Sequence, residues 1–144
     1  MKLSPHFTLE EMTDSYEATR LGIDNSAPSR VMPNLRALAA GMEGVRALLG
    51  KPIHINSGYR CAALNAAIGG SKTSAHLKGF AADFICPAFG TPTDIVHRIQ
   101  TSGVRFDQCI LEGTWVHLSF DPRMRQQYLT AHFGPSGTTY TPGI

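Results

Sequence analysis

The longest regular pattern of apolar and polar positions lies in residues 34–50. Apolar side chains recur there at every third or fourth residue, at Leu35, Leu38, Met42, Val45 and Leu49. This spacing predicts an amphipathic helix, with Asn34 as its N-cap and Gly50 as its end. A shorter helix is predicted over residues 7–20, with Thr8 in position to cap its first turn.

After residue 50 the chain consists of shorter segments. Several of them have the alternation of apolar and polar residues and the turn residues that are typical of strands. They are a strand in residues 52–60, a short helix in 61–70, a polar loop in 71–79, a strand in 80–87, a helix in 91–103 and two strands around a tight turn in 106–122. The tail from about residue 134 is rich in Gly, Thr and Pro, and we expect it to be loose. Because helices come first and strands follow, we predict an α+β fold with helices packed on an antiparallel sheet.

Composition indicates one globular domain over residues 1–144. The chain is 42% hydrophobic and 17% charged, and no internal repeat or linker divides it. Its formal charge of +2 is too small to indicate nucleic acid as a partner. We expect a monomer.

The cysteines and the apolar segments bear on where in the cell the protein is made. Cys61, Cys86 and Cys109 show no CxxC spacing, so we expect free thiols rather than disulfides or a cysteine-rich zinc site. No stretch approaches the roughly 20 apolar residues that cross a membrane. Pro5 and Glu10 interrupt any apolar segment near the start, so we expect synthesis in the cytoplasm without a signal peptide.

Three residues have ionisable side chains at positions where apolar or small side chains are expected. Asp83 interrupts the apolar run FAADFI, His117 lies inside the strand WVHLSF, and His76 lies in a segment of small residues and glycine. A carboxylate in a buried strand costs free energy unless it is paired, hydrogen-bonded or bound to a metal. Two histidines and one carboxylate are a frequent ligand set for catalytic zinc, so the three residues predict a Zn²⁺ site.

Hairpin geometry adds a second carboxylate to this group. If residues 113–114 form a two-residue turn, Ile110 lies opposite His117. By the same register, Glu112 lies opposite Trp115. Opposed and alternate residues share one face, which then carries Gln108, Ile110, Glu112, Trp115, His117 and Ser119. Glu112 becomes the diagonal neighbour of His117 and a candidate base for taking a proton from an attacking water.

Simpler interpretations of the same residues stay open. His117 is also compatible with a hydrogen-bonded strand histidine, and His76 with a surface loop residue. Asp83 is compatible with a turn cap or with an ion pair to Arg60. Glu112 stands before a glycine, which is also typical of an exposed turn.

The remaining histidines offer one further candidate. His54 alternates with two isoleucines and is a candidate for facing the site. His6, His97 and His132 are expected to be structural or exposed to solvent.

Three segments resemble the M15 family of zinc peptidases, the D-alanyl-D-alanine peptidase and phage endolysin group. SAHLKGFAADF, residues 74–84, resembles the family signature SxHxxGxAxDF. SGYRCAALNAAIGGS, residues 57–71, resembles the SGYR…LN…GGS segment that precedes it, and WVHLSF, residues 115–120, resembles the last metal-ligand strand. FTLEEMTDS and NLRALAAGMEGVRALLGKPI look like the phage-type subgroup, so that the resemblance spans roughly residues 7–120.

The resemblance implies a zinc fold of the hedgehog/D-Ala-D-Ala peptidase type. Its metal ligands fall on His76, Asp83 and His117, as the residue types also indicate. The family arginine falls on Arg60, where it resembles a residue that holds a substrate or intermediate oxygen. Ser74 matches a family serine for which we expect substrate contact or a role in ordering the loop.

The predicted face of His117 supplies further substrate contacts. Gln108 and Trp115 share that face, and we expect both to line the substrate pocket.

One position departs from the family pattern. Many relatives carry the catalytic carboxylate three residues before the last histidine, where this chain has Thr114, which cannot act as a base. The nearest carboxylate is Glu112, and Asp107 and Asp121 are further candidates.

The resemblance implies a zinc-dependent peptidase that hydrolyses a bond in the stem peptide or cross-link of bacterial peptidoglycan. Endopeptidase and D-Ala-D-Ala carboxypeptidase activities are both compatible with it. Thr114 keeps a second hypothesis open, a non-catalytic zinc module that binds cell wall or a partner protein, and a structural protein without metal is a third. We expect such an enzyme to act on the wall after release, as a phage or prophage lysin, or as a virion component.

Overall fold

The computed structural model describes residues 1–144. The helices are α1 (Leu9–Thr13), α2 (Tyr16–Leu21), α3 (Met32–Leu49), α4 (Ala62–Ala67) and α5 (Pro92–Gln100), with short 3₁₀ helices at Ser29–Val31 and Ala75–Lys78. The strands are β1 (Lys2–Ser4), β2 (Phe7–Thr8), β3 (His54–Ser57), β4 (Ala81–Ile85), β5 (Gln108–Glu112), β6 (Trp115–Ser119), β7 (Gln127–Gly134) and β8 (Gly137–Pro142). The predicted α+β class is confirmed.

A six-stranded sheet in the order β3-β4-β6-β5-β7-β8 forms the centre of the fold, and β1 pairs with β2 apart from it. The expected antiparallel arrangement is found for every pair except β5 and β7, which run parallel. No helix of the chain has the length and apolar character needed to cross a membrane.

One face of the sheet packs against helices. Residues Ala82 and Phe84 of β4 and Val116 and Leu118 of β6 are fully buried there, with the apolar stripe of α3 and that of α5. The alternate residues of the same strands project from the opposite face. The polar candidates therefore lie on the face that the helices leave free.

The first predicted helix is divided into two. Thr8 caps α1 as expected, because its Oγ1 accepts from the Glu11 backbone N–H at 3.1 Å. Asp14 then has extended backbone, and the Ser15 hydroxyl accepts from the Ala18 N–H at 3.1 Å to begin α2. A second capping residue within residues 7–20 explains why one continuous helix was the wrong prediction.

The long helix begins three residues earlier than predicted, at Met32. Asn34 is not its N-cap; its side-chain amide instead donates to the Lys78 carbonyl oxygen at 2.8 Å. Pro33 occupies the first turn, where a missing N–H costs nothing. Gly50 ends the helix as predicted, with a φ of 67°.

The tail from about residue 134 is not loose. It forms β8, which pairs with β7 along its whole length and so extends the sheet. Thr and Tyr side chains at 138–141 favour extended backbone. Gly137, with a φ of 122°, takes a conformation that other residues rarely adopt. The Gly and Pro content indicated a loop, but it marks the turn and the end of a hairpin.

The cysteines are free, as expected. Cys86 and Cys109 are buried and Cys61 is half-buried. Burial raises the pKa of Cys109 to about 12, so its thiol is unreactive.

Candidate metal centre

Neighbouring strands place Asp83 beside His117. Asp83 on β4 is the direct partner of His117 on β6, and His117 is in turn the partner of Ile110 on β5. The predicted hairpin register is therefore confirmed, and Glu112 lies opposite Trp115. The turn between the strands begins at Gly113, whose φ of 70° suits the first turn position.

A short 3₁₀ helix brings His76 to the same face. The Ser74 hydroxyl accepts from the His76 backbone N–H at 3.2 Å and caps this helix. Gly79, with a φ of 78°, ends it and returns the chain towards β4. The imidazole is only 2% exposed, and its Nδ1 lies 2.6 Å from the Gly58 carbonyl oxygen. His76 is therefore a buried, oriented side chain and not a surface loop residue.

The three side chains converge on one point. Nε2 of His76 lies 3.2 Å and Nδ1 of His117 lies 3.0 Å from the same oxygen, Oδ1 of Asp83. One potential ligand atom from each residue lies within 4.8 Å of the others, and all three residues are buried. The two rings meet edge-on, with centroids 5.1 Å apart. This is a group of three residues that can hold a metal ion.

The hydrogen bonds of His76 leave one of its ring nitrogens free to bind a metal. The Gly58 carbonyl can only accept, so Nδ1 of His76 carries the hydrogen and Nε2 presents a lone pair. That lone pair faces Oδ1 of Asp83, which is also an acceptor. Protonation of Nε2 would relieve the contact, but burial lowers the pKa of His76 and disfavours it. A cation between the two atoms removes the conflict, so the donor set fits a bound metal.

Electrostatics favour a cation at the same point. Burial opposes the ionisation of Asp83, but its interactions with His76 and His117 hold the pKa of its carboxyl well below the ordinary value. Burial alone would lower the pKa of His117, yet the hydrogen bond and charge of Asp83 and the charge of Glu112 raise it. The ionised carboxylates thus create a negative potential around the two imidazoles.

Glu112 lies on the same face as His117 and close to it. Oε2 of Glu112 accepts a hydrogen bond from Nε1 of Trp115 at 2.9 Å. Burial raises the pKa of Glu112, and the charge of Asp83 raises it further, whereas His117, Trp115 and Arg60 act in the opposite direction. The carboxylate is therefore a stronger proton acceptor than an exposed glutamate.

The two further carboxylate candidates are engaged elsewhere. Asp107 accepts from Nε and Nη2 of Arg125, both at 2.8 Å. Asp121 accepts from the backbone and side chain of Arg123, at 2.9 and 3.0 Å. Hydrogen bonds from arginine hold the pKa of Asp107 below the ordinary range, which makes it a poor base.

The predicted substrate residues line one cleft with the metal group. The cleft has a volume of about 750 Å³, and Arg60, Ser74, Gln108, Glu112 and Trp115 all border it. Nη2 of Arg60 donates to the Ser74 hydroxyl at 3.1 Å, and the alternative ion pair between Arg60 and Asp83 is not formed. Nε of Arg60 is buried without a partner, so the guanidinium is not fully hydrogen-bonded within the protein.

The other histidines lie away from the cleft. His54 is exposed on β3 and does not border the cleft, so the structure does not place this candidate in the site. His97 and His132 are exposed, and His6 pairs with Glu43 at 2.7 Å on the surface.

Sequence reasoning missed one wall of the cleft. Leu129, Phe133, Thr138 and Tyr140, from β7 and β8, border it together with Arg123 and Arg125. The alternation of Thr and Tyr near the end of the chain was the available signal for a strand.

Comparison with known proteins identifies a family whose match spans the site. The family model described as Peptidase M15 matches residues 5–119, which contain the three-residue metal group and Glu112. No curated protein matches the chain.

Proposed function

The chain belongs to the peptidase M15 family, and from this premise we propose that it is a zinc-dependent peptidase that hydrolyses a peptide bond of bacterial cell wall. The observation that carries the proposal is the convergence of His76 and His117 on one oxygen of Asp83, in a cleft that also contains a carboxylate with a raised pKa. Zn²⁺ is the metal that the family resemblance and the two-histidine, one-carboxylate set support.

His76, Asp83 and His117 would hold the metal. When bound, it supplies Lewis acidity, which polarises a carbonyl oxygen and makes water more acidic. The hydrogen bond from His76 to Gly58 fixes the tautomer that directs Nε2 into the site.

Glu112 supplies the base in this proposal. Its carboxylate takes a proton from water as the water oxygen forms a bond to the peptide carbonyl carbon. The same proton passes to the amide nitrogen as the carbon–nitrogen bond breaks, which yields an amine and a carboxylic acid that then loses its proton to solvent. The Trp115 N–H holds the carboxylate in orientation through this sequence.

Arg60 stabilises the charge that develops on the carbonyl oxygen. Its Nε is a buried donor without a protein partner, and Ser74 holds the other side of the guanidinium. A fixed guanidinium in a partly enclosed cleft stabilises an oxyanion without reorganisation. Gln108 and Trp115 border the cleft and would contact the peptide on either side of the bond.

The identity of the substrate is the more specific part of the proposal. The resemblance of SAHLKGFAADF to the D-alanyl-D-alanine peptidase and endolysin group supports the stem peptide or the cross-link of peptidoglycan. An endopeptidase and a D-Ala-D-Ala carboxypeptidase would bind different parts of the stem peptide in the same cleft.

The experiment is a digestion of purified cell walls of several cross-link chemistries with zinc-loaded protein. We expect new amino groups, and mass spectrometry of the fragments identifies the bond. Glu112→Gln should keep the fold and the metal but lose at least ~100-fold in rate, whereas Asp107→Asn, the matched carboxylate, should retain cleavage. Intact walls of every chemistry after incubation would refute the peptidoglycan assignment.

A second candidate is a non-catalytic zinc module that binds cell wall or a partner protein. The observation that favours it is Thr114, a turn residue where many relatives have a carboxylate. The Glu112→Gln variant separates the two candidates. The binding module would be supported if the wild type binds cell walls without releasing amines and if Glu112→Gln binds them equally well.

The setting is also a proposal. We propose that the protein acts as a monomer on the wall, after release from the cell that makes it or as part of a virion, as expected for the phage-type subgroup. Light scattering of purified protein tests the monomer, and addition to intact cells from outside and from within tests the side of action.

A further inference from the structure

The β7–β8 hairpin lies beyond the family match, yet it forms a wall of the cleft. The match ends at residue 119, whereas β7 and β8 span Gln127–Gly134 and Gly137–Pro142. The cleft is bordered from this hairpin by Leu129, Phe133, Gly137, Thr138 and Tyr140. In the strand register, Leu129, Phe133, Thr138 and Tyr140 share one face, so the hairpin presents that face to the site.

Strand register places Tyr140 in line with Glu112. Leu111 pairs with Thr130, so the next residues along these parallel strands, Glu112 and Ala131, are neighbours on the cleft face. Ala131 pairs directly with Tyr140. Tyr140 is thus two strand spacings, roughly 10 Å, from Glu112 at the backbone. The small side chain between them leaves space for the phenol to extend towards the carboxylate.

Aromatic contact holds the hairpin against the site. The rings of Phe133 and Trp115 lie with centroids 6.2 Å apart. Phe133 also approaches the β5–β6 turn, since a Cβ on Gly113 would lie 3.5 Å from its Cε2. On the opposite face, Nε2 of His132 and the Thr141 hydroxyl are hydrogen-bonded at 2.8 Å. The hydrogen bond joins the two strands of the hairpin to each other, and the Phe133 contact places its cleft face beside Trp115.

Electrostatic coupling also connects Tyr140 with the site. Tyr140 is 51% exposed, and its partial burial together with the charges of Glu112 and Asp83 raises its pKa, whereas the charge of Arg60 lowers it. The phenol therefore stays protonated at neutral pH and is available as a hydrogen-bond donor. It has no hydrogen-bond partner of its own in the protein to compete with a bound molecule.

We propose that Tyr140 is a catalytic residue whose hydroxyl donates a hydrogen bond to the carbonyl oxygen of the scissile peptide bond, opposite Arg60. The inference rests on the proposed peptidase function. The tyrosine keeps its proton throughout, so it adds no step to the transfer that Glu112 performs. The interaction strengthens as negative charge develops on the oxygen, and it therefore acts on kcat more than on KM.

The test uses Tyr140→Phe, which removes only the hydroxyl. We expect kcat to fall about 10-fold to 100-fold with KM changed less than threefold, and with the melting temperature and metal content of the wild type. Tyr16→Phe is the matched control, because Tyr16 is 78% exposed and does not border the cleft. A change of less than threefold in kcat for Tyr140→Phe would overturn the proposal.

A second readout does not depend on turnover. Trp115 is the single tryptophan of the chain and borders the cleft, so its fluorescence reports binding at this site alone. Titration of metal-free protein with a synthetic cell-wall stem pentapeptide should show affinity about 2-fold to 3-fold weaker for Tyr140→Phe than for wild type, the low end of the range for one hydrogen bond, because the contact is stronger in the transition state than in the bound substrate. A wild type that cleaves no wall but shows this difference would refute the proposed function and retain the Tyr140 contact. Equal affinities would overturn the contact.

Discussion

Nδ1 of His76 lies 2.6 Å from the carbonyl oxygen of Gly58, and this hydrogen bond directs Nε2 towards Asp83. The loop that carries Gly58 is itself held by the first helix, because the Tyr59 backbone N–H donates to the Met12 carbonyl oxygen at 2.7 Å. A Cβ at Gly58 would lie 2.5 Å from that same Met12 oxygen. The N-terminal helix therefore positions the loop whose Gly58 carbonyl orients a metal-group histidine.

Gly58→Ala should weaken metal binding although it removes no ligand. The added methyl group must displace the loop from α1, which costs about 1–3 kcal/mol and moves the acceptor of the His76 ring. We expect a lower melting temperature and a metal affinity lower by at least ~10-fold, the effect typical of a lost outer hydrogen bond. Calorimetric titration with Zn²⁺ measures the second quantity, and unchanged affinity would show that Gly58 does not orient the ring.

Removal of a metal-group histidine should abolish stoichiometric metal binding. His117→Ala is the variant and His54→Ala the matched control, because His54 is an exposed strand histidine outside the cleft. In wild type, Zn²⁺ at 100 times its dissociation constant should add about 2.7 kcal/mol to the free energy of unfolding. Thermal unfolding with and without a chelator checks this. An equal metal-induced shift in His117→Ala would place the metal elsewhere.

The pH dependence of catalysis should reflect Glu112. The base works only when ionised, so kcat/KM should fall as the pH decreases through a Glu112 pKa that burial raises above the ordinary 4.5. The Trp115 N–H favours the ionised form and lowers this pKa. Trp115→Phe removes the donor, and the acidic limb of the profile should move to higher pH. A limb that stays in place would assign it to another group.

The pH dependence of stability should reflect Asp107. Hydrogen bonds from Arg125 lower its pKa in the folded protein, so they stabilise the fold above the unfolded pKa near 3.8. That contribution is lost as the pH falls through the lower folded value. Asp107→Asn should therefore lower stability at neutral pH and flatten its decline below about pH 4.

Asp121→Asn is the comparison for this prediction. Its partner Arg123 is 60% exposed, so solvent screens the pair and the change should be smaller. Chemical denaturation at a series of pH values measures both variants. Equal effects would argue against a special role for the buried Asp107 carboxylate.

Two glycines of α3 should respond in opposite directions to alanine. Within a helix, alanine is favoured over glycine by about 1 kcal/mol, and Gly44→Ala should gain this because no atom lies within 4 Å of an added Cβ. At Gly41 the Cβ would lie 2.5 Å from the Phe120 ring, so Gly41→Ala should destabilise by about 1–3 kcal/mol. Urea denaturation distinguishes the two, and stabilisation by Gly41→Ala would show that Phe120 relocates freely.

Local patterns determined much of the fold from sequence alone. The spacing of Leu35 and Leu38 along a helix, the cap at Thr8 and the end at Gly50 depend on residues within a few positions of each other. The register of the β5–β6 hairpin follows from its two-residue turn, because side chains alternate strictly along each strand. Because of that alternation, the amino-acid order of the hairpin is enough to assign Glu112 and His117 to one face.

Only the tertiary structure decided the contacts between distant segments. The parallel pairing of β5 with β7, the hydrogen bond between His76 and Gly58, and the ion pair between Asp107 and Arg125 join residues whose separation no periodicity encodes. The tail was mispredicted for the same reason, because β8 is stabilised by pairing with β7 and not by a pattern of its own. The residue types for a metal group are present in the sequence, but their convergence on one oxygen of Asp83 depends on how strands and loops pack.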